Sequence, residues 1–138
     1  MQSGERIDPI TGFADKRTLE LTADLVLAQA RKRKHATSVI VLRLDDADDV
    51  AVRDASMSLA LRASVRGVDH LFKTADRTLV VLLPMSSFDG VAKVVLRVAR
   101  LCDRPFGYGA AMAPTDGWKI ERLVAAATSR VRAFPLAF

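Results

Sequence analysis

The chain has 138 residues, half of them apolar, with a formal net charge of +5. That length and composition suit one compact domain spanning 1–138 with a single core, with 1–7 and 134–138 as candidate boundary segments. No apolar run approaches the length of a bilayer span, and the start of the chain lacks the basic-then-apolar order of a secretory signal, so the expectation is a cytoplasmic protein without direct membrane insertion.

In chain order, Leu19, Ala23, Val26, Leu27 and Ala30 recur at helical spacing and predict a first amphipathic helix over Asp15 to Lys34. Its basic end, Arg31 to Lys34, complements the carbonyl end of the helix dipole. Val39-Ile40-Val41-Leu42 is short and β-branched, and predicts a central strand over Ser38 to Leu44 flanked by helices. The acidic run Asp45 to Asp49 ends that strand and opens a second helix over roughly Asp48 to Val65.

Two short apolar stretches, His70 to Lys73 and Thr78 to Leu83, surround the polar turn Thr74 to Arg77 and predict a β-hairpin. From Phe88 to Cys102, Val91, Val94, Val95, Val98, Leu101 and Cys102 define one helical face, with Lys93, Arg97 and Arg100 on the other. A further strand over Phe106 to Met112, a turn at Pro114 to Gly117 and a closing helix over Ile120 to Arg132 complete the chain. Without its first and last helices the order is βαββαβ, the split arrangement of a ferredoxin-like α+β sheet. The apolar end Phe134 to Phe138 packs on the core, covers a partner or marks a boundary.

Little of the residue inventory points to catalysis. Cys102 has no second cysteine with which to form a disulfide, and no cysteine or histidine at metal-ligand spacing, which suits a small core residue. His35 and His70 stand apart from any nucleophile or acid pair. Excess positive charge favours anionic partners, but with 6% aromatic residues and no stacking platform on the strands the expectation excludes nucleic acid.

Several segments in register resemble the GGDEF domains of the diguanylate cyclase family. Asp8-Pro9-Ile10-Thr11-Gly12-Phe13 is similar to that family's Asp-x-Leu-Thr-Gly-Leu opening. Val39 to Asp45 resembles its first core strand, Arg66 to Pro84 its signature hairpin, and Phe106 to Ala111 its Ser-x-Gly-x-Ala strand. The resemblance implies a cyclase-type sheet and a bacterial signalling role, with further domains or a protein partner acting beside it.

The departures from the family pattern carry the functional expectation. Where the family has its first magnesium-binding aspartate stands Arg43, with Asp45 at the second acidic position. Ala75-Asp76-Arg77-Thr78-Leu79 stands where Gly-Gly-Asp/Glu-Glu-Phe is expected. Magnesium seeks carboxylate and phosphate oxygens, and phosphoryl transfer relies on those ions to neutralise developing charge. The interval from Asp49 to Arg66 is also shorter than the family's and lacks its guanine-contacting segment. The resemblance therefore implies a domain that is not an enzyme and needs no metal or other cofactor.

Arg66-Gly67-Val68-Asp69 keeps the spacing of the family's inhibitory-type Arg-x-x-Asp site, which binds cyclic di-GMP, and Arg97 matches the arginine that the next helix adds. The resemblance implies that Arg66 and Arg97 donate to phosphate or to the Hoogsteen edge of guanine. Asp69 then accepts from guanine N–H groups, and Lys93 and Arg100 supply a supporting field. The expected function is a cyclic di-GMP receptor that regulates protein association, homodimerisation included. Two rivals remain: a ligand-free scaffold for protein–protein interaction or dimerisation, and a cyclase with unusual ligands, against which Arg43 and Arg77 argue.

Overall fold

The computed structural model describes residues 6–134. Helix α1, Lys16–Arg33, begins because the Asp15 carboxylate accepts from the Thr18 N–H at 3.0 Å, and it stops at Lys34, whose left-handed backbone (φ 60°) turns the chain away. Strand β1, Thr37–Leu44, follows. Helix α2, Val50–Ser64, is capped by Asp49, which accepts from the Val52 N–H at 3.1 Å, so the acidic run does open a helix, with its last member as the cap.

Strands β2, His70–Ala75, and β3, Thr78–Pro84, form the predicted hairpin. Its turn is tighter than the four residues expected, because Thr74 and Ala75 stay in β2 and only Asp76 and Arg77 connect the strands, with Arg77 at φ 59°. Helix α3, Phe88–Leu101, strand β4, Phe106–Ala113, and helix α4, Ile120–Ser129, follow. The closing helix ends earlier than its apolar spacing predicts. Arg132 and Ala133 leave it to form a short strand β5 that pairs with Tyr108 and Gly107. Gly109 permits this close return: a Cβ there would lie 2.0 Å from the Ala127 carbonyl oxygen, so no larger residue fits between β4 and the end of α4.

The sheet is antiparallel in the order β2-β3-β1-β4-β5. Its β2-β3-β1-β4 part is the expected ferredoxin-like core. One face packs Ile40, Leu42, Leu79 and Val81 against Met57 and Leu61 of α2 and Val91, Val95 and Val98 of α3. The opposite face packs Val39, Val41, Val80 and Leu82 against Leu19, Ala23 and Leu27 of α1 and Ile120 and Leu123 of α4. With both faces covered, β1 and β3 carry continuous apolar runs, Val39 to Leu42 and Leu79 to Leu83, rather than alternating, which is why they stand out in the sequence.

Cys102 lies in the first of these clusters, as its isolation predicted. Of the apolar end, Phe134 stacks on Phe106 at 5.6 Å between ring centroids, while 135–138, like 1–5, lie outside the described residues.

Candidate functional site

Two charged regions sit at opposite ends of β3. At its far end α2 stops at Val65 and the chain turns through Arg66-Gly67-Val68-Asp69 into β2. The turn is closed twice: the Asp69 N–H donates to the Arg66 carbonyl at 3.0 Å, and the Arg66 N–H donates to Asp69 Oδ2 at 2.7 Å. Arg66 then folds back on the same carboxylate, Nη2 donating to Oδ1 at 2.8 Å and Nε to Oδ2 at 3.3 Å. Nη2 also reaches the Pro84 carbonyl at 2.7 Å. The Asp69 side chain is 1% exposed and that of Arg66 48%.

Helix α3 brings Lys93 and Arg97 to the same place, four residues and so one turn apart. Arg97 Nη1 donates to the Ser64 carbonyl at 3.3 Å, tying α3 to the last turn of α2, where unpaired carbonyls attract a cation. Together with Ser86 at the mouth of α3, these side chains line a polar cavity of about 380 Å³ that also includes Ser64, Arg66 and Asp69.

Four of the five residues selected from the sequence thus border one cavity. The fifth, Arg100, does not: it lies one turn further along α3 and is solvent-exposed, away from the lining. The Asp69 carboxylate is shielded and both its oxygens accept from Arg66, so it orients that guanidinium at the cavity wall.

At the hairpin end the side chains pair among themselves. Arg43 is exposed at the end of β1, opposite Thr78 and Gly107. Arg77, in the turn, pairs with Asp46 at 3.0 Å. Behind them Arg53 and Asp54, 4% and 1% exposed, contact each other at 2.9 Å. Arg53 Nη1 donates to the Asp45 carbonyl at 3.0 Å, and its Nη2 lies 3.6 Å from Asp76. Lys73 bridges Asp54 at 2.9 Å and Asp8 at 3.3 Å, and Asp8 accepts from the Thr11 N–H at 2.8 Å.

Burial pushes the Asp8 carboxyl up, but the Thr11 donors and the Lys73 ammonium outweigh it and hold the group below the ordinary aspartate value. Burial likewise pushes Lys73 down, and Asp54 and Asp8 outweigh it, raising the ammonium above the usual lysine value. Among the described residues no three histidine, cysteine, aspartate or glutamate side chains are grouped to hold a metal ion.

The Arg53–Asp54–Lys73–Asp8 network was not foreseen from the sequence. One signal was present: Asp54 precedes Met57, Ser58 and Leu61 at helical spacing, which puts a carboxylate on the buried face of α2 and obliges it to find a cation. Of the remaining residues, Trp118 receives the Arg31 guanidinium over its ring at 5.9 Å, and His70 stacks on Phe72.

No family model matches the chain, and no curated protein matches it. Solved structures do. The GGDEF domain of YfiN (TpbB) from Pseudomonas aeruginosa superposes with a TM-score of 0.80 at 15% identity, over 89% of this chain and 84% of that one. The GGDEF domain of FimX from the same organism gives 0.78 at 12% identity, over 90% of each chain. The coiled coil and GGDEF domain of DgcB from Caulobacter crescentus, solved in complex with cyclic di-GMP, gives 0.75 at 13% identity, over 89% of this chain and 76% of that one. The resemblance in the sequence segments and the likeness of the whole sheet with its helices agree: this chain has the fold of GGDEF domains.

Proposed function

We propose that this chain is a GGDEF-fold domain without cyclase activity that binds cyclic di-GMP in the cavity between the α2–β2 turn and α3, and that binding changes its association with protein partners, with neighbouring domains or with a second copy of itself. One observation carries this reading: Arg66, Lys93 and Arg97 converge on a single cavity, while Arg43 and Arg77 stand at the end of the sheet where the family pattern calls for metal-binding carboxylates. Guanidinium and ammonium groups suit a phosphodiester and the acceptor edge of guanine, whereas phosphoryl transfer needs carboxylates to hold magnesium.

The cavity volume, about 380 Å³, falls within the range of small-molecule sites. Two or three good contacts of about 1–3 kcal/mol each support micromolar affinity after the cost of association. Among the structural neighbours, DgcB is in complex with cyclic di-GMP and the cyclase SiaD with its activator SiaC, so both kinds of partner occur on this fold. Among the described residues no helix is long and apolar enough to cross a membrane. We assign the domain to the cytoplasm, where the nucleotide would reach it.

Titration calorimetry with cyclic di-GMP tests the reading, with GTP as control. Binding in the low micromolar range that is lost in Arg66→Ala supports the receptor. A second reading, a ligand-free scaffold, draws on the Arg66 guanidinium being partnered by Asp69 and Pro84 without any ligand. Absence of heat at high micromolar nucleotide favours it.

A further inference from the structure

Helix α1 carries two stripes. The first, Leu19, Ala23, Leu27 and Ala30, is buried. The second, Leu21, Leu25, Ala28 and Lys32, recurs at spacings of four, three and four residues and faces solvent throughout. Leu21 is 61% exposed and Leu25 76%. Met85, 58% exposed, joins them: with Leu25, Val26 and Pro84 it walls an apolar groove of about 490 Å³ alongside the helix. Single apolar side chains are normal on a surface, whereas a joined patch rimmed by polar groups marks an interaction site.

The rim here is basic. Arg31, Lys32, Arg33 and Lys34 end the helix and are all exposed. Among the described residues none of the four pairs with a carboxylate, in contrast to Arg53, Arg66, Lys73, Arg77 and Arg130. Arg33 lines the apolar groove together with His35. Arg31 and Lys32 lie on the other side of the stripe, where the Arg31 guanidinium sits 5.9 Å from the centre of the Trp118 ring. The acids of α1, Glu20 and Asp24, belong to its first half. The carbonyl end of the helix dipole accounts for some of these cations, but for neither leucine. A second copy of the chain fits the surface poorly. Antiparallel pairing about Leu25 sets Arg33 against Arg17 and Lys34 against Lys16, and parallel pairing sets the two basic ends side by side.

We propose that the α1 face centred on Leu25 is a peripheral binding surface for anionic phospholipid membranes, in which Leu21, Leu25 and Met85 enter the boundary between headgroups and acyl chains while Arg31 to Lys34 lie among the phosphates. Long basic side chains reach the phosphate layer while their stems cover apolar surface, so Lys32 continues the stripe rather than interrupting it. Trp118, half-buried beside Ala28 and Lys32, stands at the edge of the contact, a position that suits an indole with an apolar body and a polar N–H. Contact of this kind lies on a bilayer and spans nothing. It requires no nucleotide, so it goes beyond the receptor reading and is tested separately from it.

Co-sedimentation of the intact chain with lipid vesicles is the test. Vesicles of equal parts phosphatidylglycerol and phosphatidylcholine are expected to bind at least about tenfold more tightly than phosphatidylcholine alone at low salt, with the difference shrinking as salt rises to about 0.5 M. Leu25→Asp is expected to weaken binding at least about tenfold, as is Lys32→Glu combined with Arg33→Glu. All three side chains are exposed, so these variants keep the fold. Leu59→Asp, comparably exposed on α2 beyond the opposite face of the sheet, is the control that leaves binding unchanged. Trp118 is the chain's one tryptophan, and its emission is expected to shift to the blue on binding.

Failure to bind phosphatidylglycerol vesicles overturns the proposal and leaves the stripe to an acidic protein partner. Equal binding to neutral vesicles also overturns it, because charge is then not read. So does binding that survives either α1 variant or leaves the Trp118 emission unchanged, because another face then makes the contact. None of these outcomes bears on cyclic di-GMP binding.

Discussion

The two ends of β3 carry similar charged residues arranged in contrasting ways. At the hairpin end Arg53, Asp54, Lys73 and Asp8 form a closed chain of pairs, partly out of water, in which each charge has an opposite neighbour. At the other end Arg66 and Asp69 are joined, but the outer half of the Arg66 guanidinium, Lys93 and most of the Arg97 donors face an open cavity. Closed pairs hold structure together and have little left for a ligand, whereas an oriented cation with spare donors is suited to binding. By this measure the hairpin end reads as structural, and the flank is the end proposed above to take a ligand.

The comparison breaks most visibly if the buried pair is cut. Asp54→Ala leaves Arg53 and Lys73 without their shared partner, and a loss of about 3–5 kcal/mol is expected in urea unfolding, the penalty for an uncompensated buried charge. A loss under about 1 kcal/mol would show that the hairpin-end network is no more structural than a surface pair. Arg66→Ala should show the reverse profile. Arg66 is half exposed but Asp69 is shielded, so loss of the guanidinium is expected to cost about 1–3 kcal/mol of stability, less than the buried pair, while cyclic di-GMP affinity is expected to fall by about 10- to 100-fold in calorimetry, the worth of one bidentate contact.

Smaller effects sharpen the contrast. Lys93→Ala removes a point charge with no fixed hydrogen-bond geometry, and affinity is expected to fall only several-fold and to do so less at high salt, where the field is screened. The pH dependence separates the structural groups. Asp116 is held below its ordinary value first by the Arg130 guanidinium and then by the Met112 N–H, against the opposing effect of burial, and Asp8 is depressed as described above. A depressed carboxylate stabilises the fold fully above its unfolded value, near 3.8, and loses that contribution as pH falls through the lower folded value. Stability is therefore expected to decline below about pH 4, with a flatter decline in Asp116→Asn. The smallest expected change is none at all: Arg43→Asp with Arg77→Glu should yield no product from GTP and magnesium, because the short interval from Asp49 to Arg66 still lacks the guanine-contacting segment that the resemblance calls for. Measurable cyclase activity would return the hairpin to the catalytic column.

Much of the fold was legible because burial has a period. The single apolar face of α3 and the continuous apolar runs of β1 and β3 each identify an element and what covers it. The ends were harder to read. The helix predicted to run to Arg132 ends at Ser129, and Arg132 instead pairs with Tyr108 of β4, since backbone hydrogen bonds to a neighbouring strand outweigh weak local preference. At the candidate site, Arg66 and Asp69, singled out by their spacing, and Lys93 and Arg97, by their helical phase, line one cavity. Arg100 lies almost in line with Lys93, seven residues further along the same helix, and a one-dimensional pattern cannot show that the cavity ends first.

By itself the sequence determined the order of elements, the burial of both sheet faces and the presence of arginines, Arg43 and Arg77, at the hairpin end, because periodicity and charge type are properties of the chain. Only the tertiary structure decided which charges are spent on one another and which remain open. Asp54 and Asp69 are both aspartates near arginines in the sequence; one closes a buried network, and the other aims a guanidinium at a cavity. The difference arises from where β2, β3 and the helices bring distant backbone and side chains, including the Pro84 carbonyl 18 residues beyond Arg66, within hydrogen-bonding reach.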